Sequence, residues 1–163
     1  MKRAILRVVA VCLLVLVVPS AAWAKGQTVR ITLTCAGLAG PIDLTAPKAL
    51  SFQFGPWGGA FRDSLRDVGS RVTEGLRLCE VAFYVRYRAR DVQLAYVFYY
   101  YQGRASAPGH TYLPGRGDPW YSLNTGSILR PGEDGGWCAA SLAWEALVRP
   151  AIAHAEAAER HAT

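Results

Sequence analysis

The chain has 163 residues, 52% of them apolar, with 18 basic and 12 acidic side chains and a formal net charge of +6. Three of the basic residues, Lys2, Arg3 and Arg7, stand in the first 24 residues and none of the acidic ones do, so the rest of the chain carries only +3. That modest, dispersed charge gives no support to a nucleic-acid surface, and the length suits one ordinary domain with a real core.

The first 24 residues predict export. A basic front is followed by an unbroken apolar run, Val8–Val18, then by Pro19-Ser20 and the small-residue end Ala22-Trp23-Ala24. These are the three parts of a secretory signal peptide, and the run is well short of the ~20 residues a membrane-crossing helix needs. No cysteine stands at the expected cut, so a lipid-modified terminus is not indicated. The expectation is a signal peptide over 1–24 and a single domain over 25–163, secreted or periplasmic, without a membrane span. Cleavage removes Cys12 and leaves Cys35, Cys79 and Cys138. An oxidising destination then predicts one disulfide. All three pairings stay open, and each would be worth about 4 kcal/mol in the chain-entropy account.

Along the exported part, Thr28–Thr34 alternates Val29, Ile31 and Leu33 with polar residues, the period-two pattern of a half-buried strand. "CAGLAGP" turns the chain, and "PIDLTAP" reads as a short second strand with Ile42 and Leu44 on one side. Ala49–Phe54 is apolar and runs into the Gly-rich "FGPWGGAF", a loop around Trp57. From Phe61 to Leu78 helical spacing is interrupted by Gly69 and Gly75, so a short helix or an irregular excursion is expected.

Cys79–Arg88 and Val92–Tyr101 are the clearest strands, joined as an antiparallel hairpin. The first sets Val81, Phe83, Val85 and Tyr87 against Tyr84, Arg86 and Arg88. The second sets Val92, Leu94, Tyr96, Phe98 and Tyr100 against Gln93, Val97, Tyr99 and Tyr101. Apolar and aromatic residues on both faces predict central strands partly covered on each side. Thr111–Leu113 and Trp120–Leu123 read as a further hairpin, and Ser127–Leu129 as one more short strand before the turn "RPGEDGG".

Ser141 can cap a final helix, in which Trp144, Leu147, Val148, Ala151, Ile152 and Ala155 recur at three and four residues. Glu145 and Arg149 sit at i, i+4 on its flank, and Pro150 should kink or restart it. Strands in sequence and a terminal amphipathic helix predict an α+β fold: a small antiparallel sheet of about five to six strands with the helix packed on one face.

The blocks "VRITLTCAGLAGPIDLTAP", "GPWGG", "TYLPGRGDPWYSLNTGSILR" and "AWEALVRP" together resemble a family of small exported bacterial proteins, of which the "YLPGRGDPWY" block is the most distinctive part. The resemblance spans most of the exported chain. It implies export and one compact domain, and it supplies no activity and no functional residue.

Chemistry is sparse. Of the three histidines, His154 and His161 lie toward the carboxyl end and only His110 sits in the body of the domain. No Gly-x-Ser-x-Gly or His-Glu-x-x-His run exists, and the cysteines are too far apart in sequence for paired zinc ligands. No catalytic residue, metal or cofactor is therefore assigned, and a binding or envelope-associated module is favoured over an enzyme. The alternative is a hydrolase with an unfamiliar site near His110, Asp118 and Glu133. The positive feature is aromatic density. Tyr84, Tyr99, Tyr101, Tyr112, Trp120 and Tyr121 are interleaved with Arg86, Arg88, Arg104 and Arg116. Aromatic faces stack on sugars and guanidinium groups pair with carboxylates. The candidate binding surface is Tyr99, Tyr101, Tyr112, Arg116, Asp118, Trp120 and Tyr121, with a cell-wall glycan or a partner protein as its ligand.

Arg116-Gly117-Asp118 also matches the tripeptide that adhesion receptors read, but Pro114-Gly115 and Asp118-Pro119 bracket it. That composition predicts a turn tip with Arg116 and Asp118 pointing to solvent and Asp118 free to bond a backbone N–H.

Overall fold

A computed structural model describes residues 26–51, 61–65, 73–87, 91–104, 107–126 and 135–162. The expected signal peptide over 1–24, the loop around Trp57, the Ser127–Leu129 stretch and Glu133-Asp134 lie outside the described residues.

The alternating stretches become strands: β1 (Gln27–Cys35), β2 (Ile42–Leu44), β3 (Phe61–Leu65), β4 (Arg77–Arg86), β5 (Val92–Gln102), β6 (His110–Tyr112) and β7 (Trp137–Ala140). Their helices are α1 (Pro47–Leu50), α2 (Tyr121–Thr125) and α3 (Leu142–Ala162). All strand pairs are antiparallel, in the order β2-β1-β4-β5-β6-β7-β3. The fold is α+β, with β4 and β5 in the middle of the sheet as their two-sided apolar pattern requires.

Three expectations about the strands are corrected. Phe61–Leu65 is neither helix nor excursion but an edge strand paired with β7. Trp120–Leu123 is not a strand, because Tyr121 opens the short helix α2. Val92 and Leu94 do not share a face with Tyr96. The register steps by one residue between Phe83↔Tyr96 and Tyr84↔Leu94, leaving Ala95 as the extra residue of a bulge. Directly paired residues share a face, so the bulge sets Val92 and Leu94 beside Arg86 and Tyr84 rather than beside the core residues.

The core lies on the face that carries Ile31, Leu33, Val81, Phe83, Tyr96, Phe98 and Tyr100. Trp144, Val148 and Ile152 of α3 are fully buried against it, one helical turn apart. Each such burial contributes on the order of 2 kcal/mol. The Trp144 indole meets Phe98 at 5.6 Å and stands edge-on to Tyr100 at 6.0 Å, and Ala49 of α1 joins the same cluster.

Ser141 Oγ accepts from Trp144 N at 3.1 Å, the cap expected at that position. α3 continues through Pro150. The carbonyl that proline leaves without its usual donor belongs to Ala146, which is exposed and open to water.

The Glu145–Arg149 pair does not decorate the flank. Glu145 is buried, and its Oε1 accepts from Tyr100 Oη and Gly109 N at 2.8 Å each. Arg149 pairs with its other oxygen and donates to the carbonyls of Arg104 and Ala107. One carboxylate thus fastens the start of α3, the middle of the sheet and the β5–β6 connection together. Its charge is tolerated because Oε1 is hydrogen-bonded twice and Oε2 is ion-paired with Arg149.

Cys35 and Cys79 face each other across β1 and β4 with their Cα atoms 4.0 Å apart, and they form the disulfide. Cys138, on β7, stands outside that bridge.

Candidate functional site

With α1 and α3 on one face, the opposite face of β5, β6 and β7 gathers the remaining aromatics. Register decides which. Tyr99 pairs with Tyr112 and Tyr112 with Trp137, so all three project the same way, and Tyr101 follows two residues after Tyr99 on β5. The rings touch in a continuous group: Tyr99–Tyr112 at 6.4 Å, Tyr112–Trp137 at 4.7 Å and Trp137–Tyr101 at 5.2 Å. All four are half-buried. Trp137 was not singled out in the sequence. Its signal was available, since it opens the strand that carries Cys138, but a lone tryptophan after two glycines says nothing of register until its partner strand is known.

The "LPGRGDPWY" loop folds back along this face. Asp118 N donates to Gly115 O at 3.0 Å, and Gly117 holds the third position of that turn at φ 96°, a conformation open to glycine and strained for other residues. The side chain of Asp118 does not point to solvent as expected but turns to the sheet, where Oδ2 accepts from Tyr112 Oη at 2.7 Å and from Gly115 N at 2.9 Å. The backbone bond is the one expected from the turn composition, and the tyrosine bond is additional. These bonds hold the Asp118 carboxyl below its usual range. Tyr112 is pushed up to about 12 by burial and by the same bond. Arg116 is left exposed at the tip.

After Pro119 the chain passes through Trp120 at φ 70°. A left-handed tryptophan costs on the order of 1–2 kcal/mol. The conformation turns the indole back to the sheet, where Nε1 donates to Glu80 Oε2 at 2.8 Å. Glu80 pairs across strands with Tyr99, so it belongs to the aromatic face. Trp120 stays 36% exposed, enough to offer one ring face to a ligand. α2 follows at once. Its Asn124 accepts from Val97 N at 2.9 Å and donates to Val97 O at 2.6 Å, closing the edge of β5 beyond the end of β6.

The structure thus brings together Tyr99, Tyr101, Tyr112, Asp118 and Trp120, and adds Trp137 and Glu80. Among the described residues, no ring contact or side-chain hydrogen bond ties Arg116 or Tyr121 to the group.

Several of the described arginines are deployed elsewhere. Arg30 lies over the Tyr84 ring at 4.1 Å, Arg77 pairs with Glu156 and Arg149 with Glu145. Arg86 is six residues along β4 from Glu80, about 20 Å at the rise of a strand. Arg88 lies outside the described residues.

His110 opens β6 beside Tyr101, and its Nδ1 is buried without a hydrogen-bond partner. Burial lowers its pKa. The side-chain bonds of Asp118 go to Tyr112 and Gly115, so His110 and Asp118 do not form a base and its orienting carboxylate. Among the described residues no group of three or more His, Cys, Asp or Glu side chains is placed to hold a metal ion, and no helix is long and apolar enough to cross a membrane. Comparison of the chain with family models, curated proteins and solved structures gave no match.

Proposed function

We propose that the protein is an exported binding module, and that the sheet face opposite α3 is its binding surface for a cell-wall glycan. The observation that carries this reading is the contiguous ring group of Tyr99, Tyr112, Trp137 and Tyr101, edged by a partly exposed Trp120. Aromatic planes stack against the apolar faces of sugar rings, and the polar edges of Tyr and Trp remain available for hydroxyl groups. The backbone strain at Trp120 fits a functional loop, since such strain persists where the surroundings enforce it and clusters at ligand sites. The disulfide and the basic, then apolar, then small-residue leader are compatible with an extracytoplasmic location.

Sedimentation with insoluble cell-wall material tests the reading. The purified protein should be retained, and Trp120→Ala or Tyr101→Ala should each reduce the retained affinity by roughly tenfold, the loss of one stacked ring. Both variants should keep the far-ultraviolet circular dichroism of the parent. Undiminished retention by both variants rules the surface out.

Of the residues named for the hydrolase alternative, Asp118 is engaged by Tyr112 and Gly115, which leaves His110 as its described base. A screen of ester, glycoside and peptide substrates in which His110→Ala abolishes a measured activity would revive it.

A further inference from the structure

Of the arginines predicted to line the aromatic surface, Arg86 lies about 20 Å along β4 from Glu80 and Arg116 is exposed at the loop tip. Among the described side chains, the charged groups bonded to the aromatic residues here are carboxylates. Glu80 and Asp118 flank Tyr99 from two sides, one through the sheet and one through the folded-back loop. Among the described residues, each hydrogen-bond donor that reaches them is neutral: the Trp120 indole, the Tyr112 hydroxyl and the Gly115 amide. Among the described residues neither carboxylate has an ion-pair partner, although the rest of the exported chain is net basic. The tyrosine hydroxyls between them respond to this negative field. Burial raises Tyr99 first, with Glu80 and Asp118 next, and Tyr101 is raised by burial and then by Asp118.

We infer that this surface selects a glycan whose sugar rings carry free ammonium groups, an amino sugar without its acyl cap. The inference rests on the binding role proposed above and names the ligand chemistry for the same face. Ring planes take the sugar faces. Carboxylates without an ion-pair partner among the described residues and the negative faces of Tyr and Trp both attract a cation placed on those sugars. An acidic polymer, the ligand an arginine-lined face would take, meets repulsion here instead.

Calorimetric titration with two oligosaccharides of equal length, one of glucosamine and one of N-acetylglucosamine, tests it. The pH should be about 6, above the ordinary carboxylate range and below that of an amine. The free-amine oligomer should bind at least about tenfold more tightly. That preference should shrink as salt rises from about 0.05 to about 0.5 M, because exposed ion pairs are screened. A Glu80→Gln, Asp118→Asn variant keeps acceptors for Trp120, Tyr112 and Gly115 while losing both charges, and it should bind the two oligomers alike.

Equal or tighter binding of the acetylated oligomer overturns the inference and leaves the glycan-binding role standing. So does a preference that survives the charge-removing variant. Binding of neither oligomer by a protein that still sediments with cell walls also overturns it, whereas loss of sedimentation overturns the binding role itself.

Discussion

Asp118 shows how a residue can be misread from its neighbours in sequence and explained by its neighbours in space. In Arg116-Gly117-Asp118 the carboxylate an adhesion receptor would engage already accepts two hydrogen bonds from Tyr112 and Gly115. Its work is to tie the loop to the aromatic face. Because the tie lowers the folded pKa below the ordinary 3.8, its stabilisation is fully present above that value. It is lost as pH falls through the lower folded value. Urea titrations should therefore find Asp118→Ala destabilised by about 1 kcal/mol between about pH 5 and 7, with the gap to the parent closing below about pH 4. A gap that stays constant into strong acid would show that the carboxylate charge plays no part. Tyr112 mirrors this on the alkaline side. Pushed up to about 12, it contributes stability that is whole below about pH 10 and lost as pH rises through its folded value.

At the scale of the element, α2 is five residues long and has no propensity of its own to speak of. What fixes it is Asn124, which offers Val97 the amide pairing that a longer β6 would have offered. Both Val97 and Asn124 are fully buried. Asn124→Ala leaves an N–H and a C=O unpaired in that site and should cost about 2–3 kcal/mol in denaturant unfolding. The Val97 amide should lose protection in native-state hydrogen exchange, and unchanged protection would deny Asn124 this role. No pattern in "YSLNTG" announces such a helix. Its period cannot declare itself in so few residues, and Trp120 and Tyr121 favour strands by composition. The long strands were legible because alternation in β1, β4 and β5 is sustained over many residues. Their bulges were not. An inserted residue at Ala95 preserves composition while exchanging faces, so Leu94 and Val92 were assigned to the wrong side of the sheet.

At the scale of the molecule, the sheet divides labour between its faces. One face meets α3 around Trp144, and the amphipathic stripe of that helix foretold the contact. The other face collects the aromatics, and their convergence depended on pairings β5–β6–β7 that no local pattern encodes. For the same reason Glu145 read as a flank residue, although its partners Tyr100 and Gly109 lie 45 and 36 positions away.

The Cys35–Cys79 bridge belongs to the helix-packed face, joining β1 to β4 across a sequence separation of 44. Constraining a loop of that length in the unfolded chain is worth about 4 kcal/mol, so Cys35→Ala, Cys79→Ala should lower the melting temperature by roughly 12 °C. Peptide mapping without reduction should recover one cross-link, Cys35 to Cys79, and a cross-link through Cys138 would refute the pairing. Because the bridge and the ring group lie on opposite faces, the double variant should retain parental sedimentation with cell walls well below its melting temperature. If retention fell while the fold persisted, the two faces would be coupled through β4 and β5, the strands that carry side chains to both.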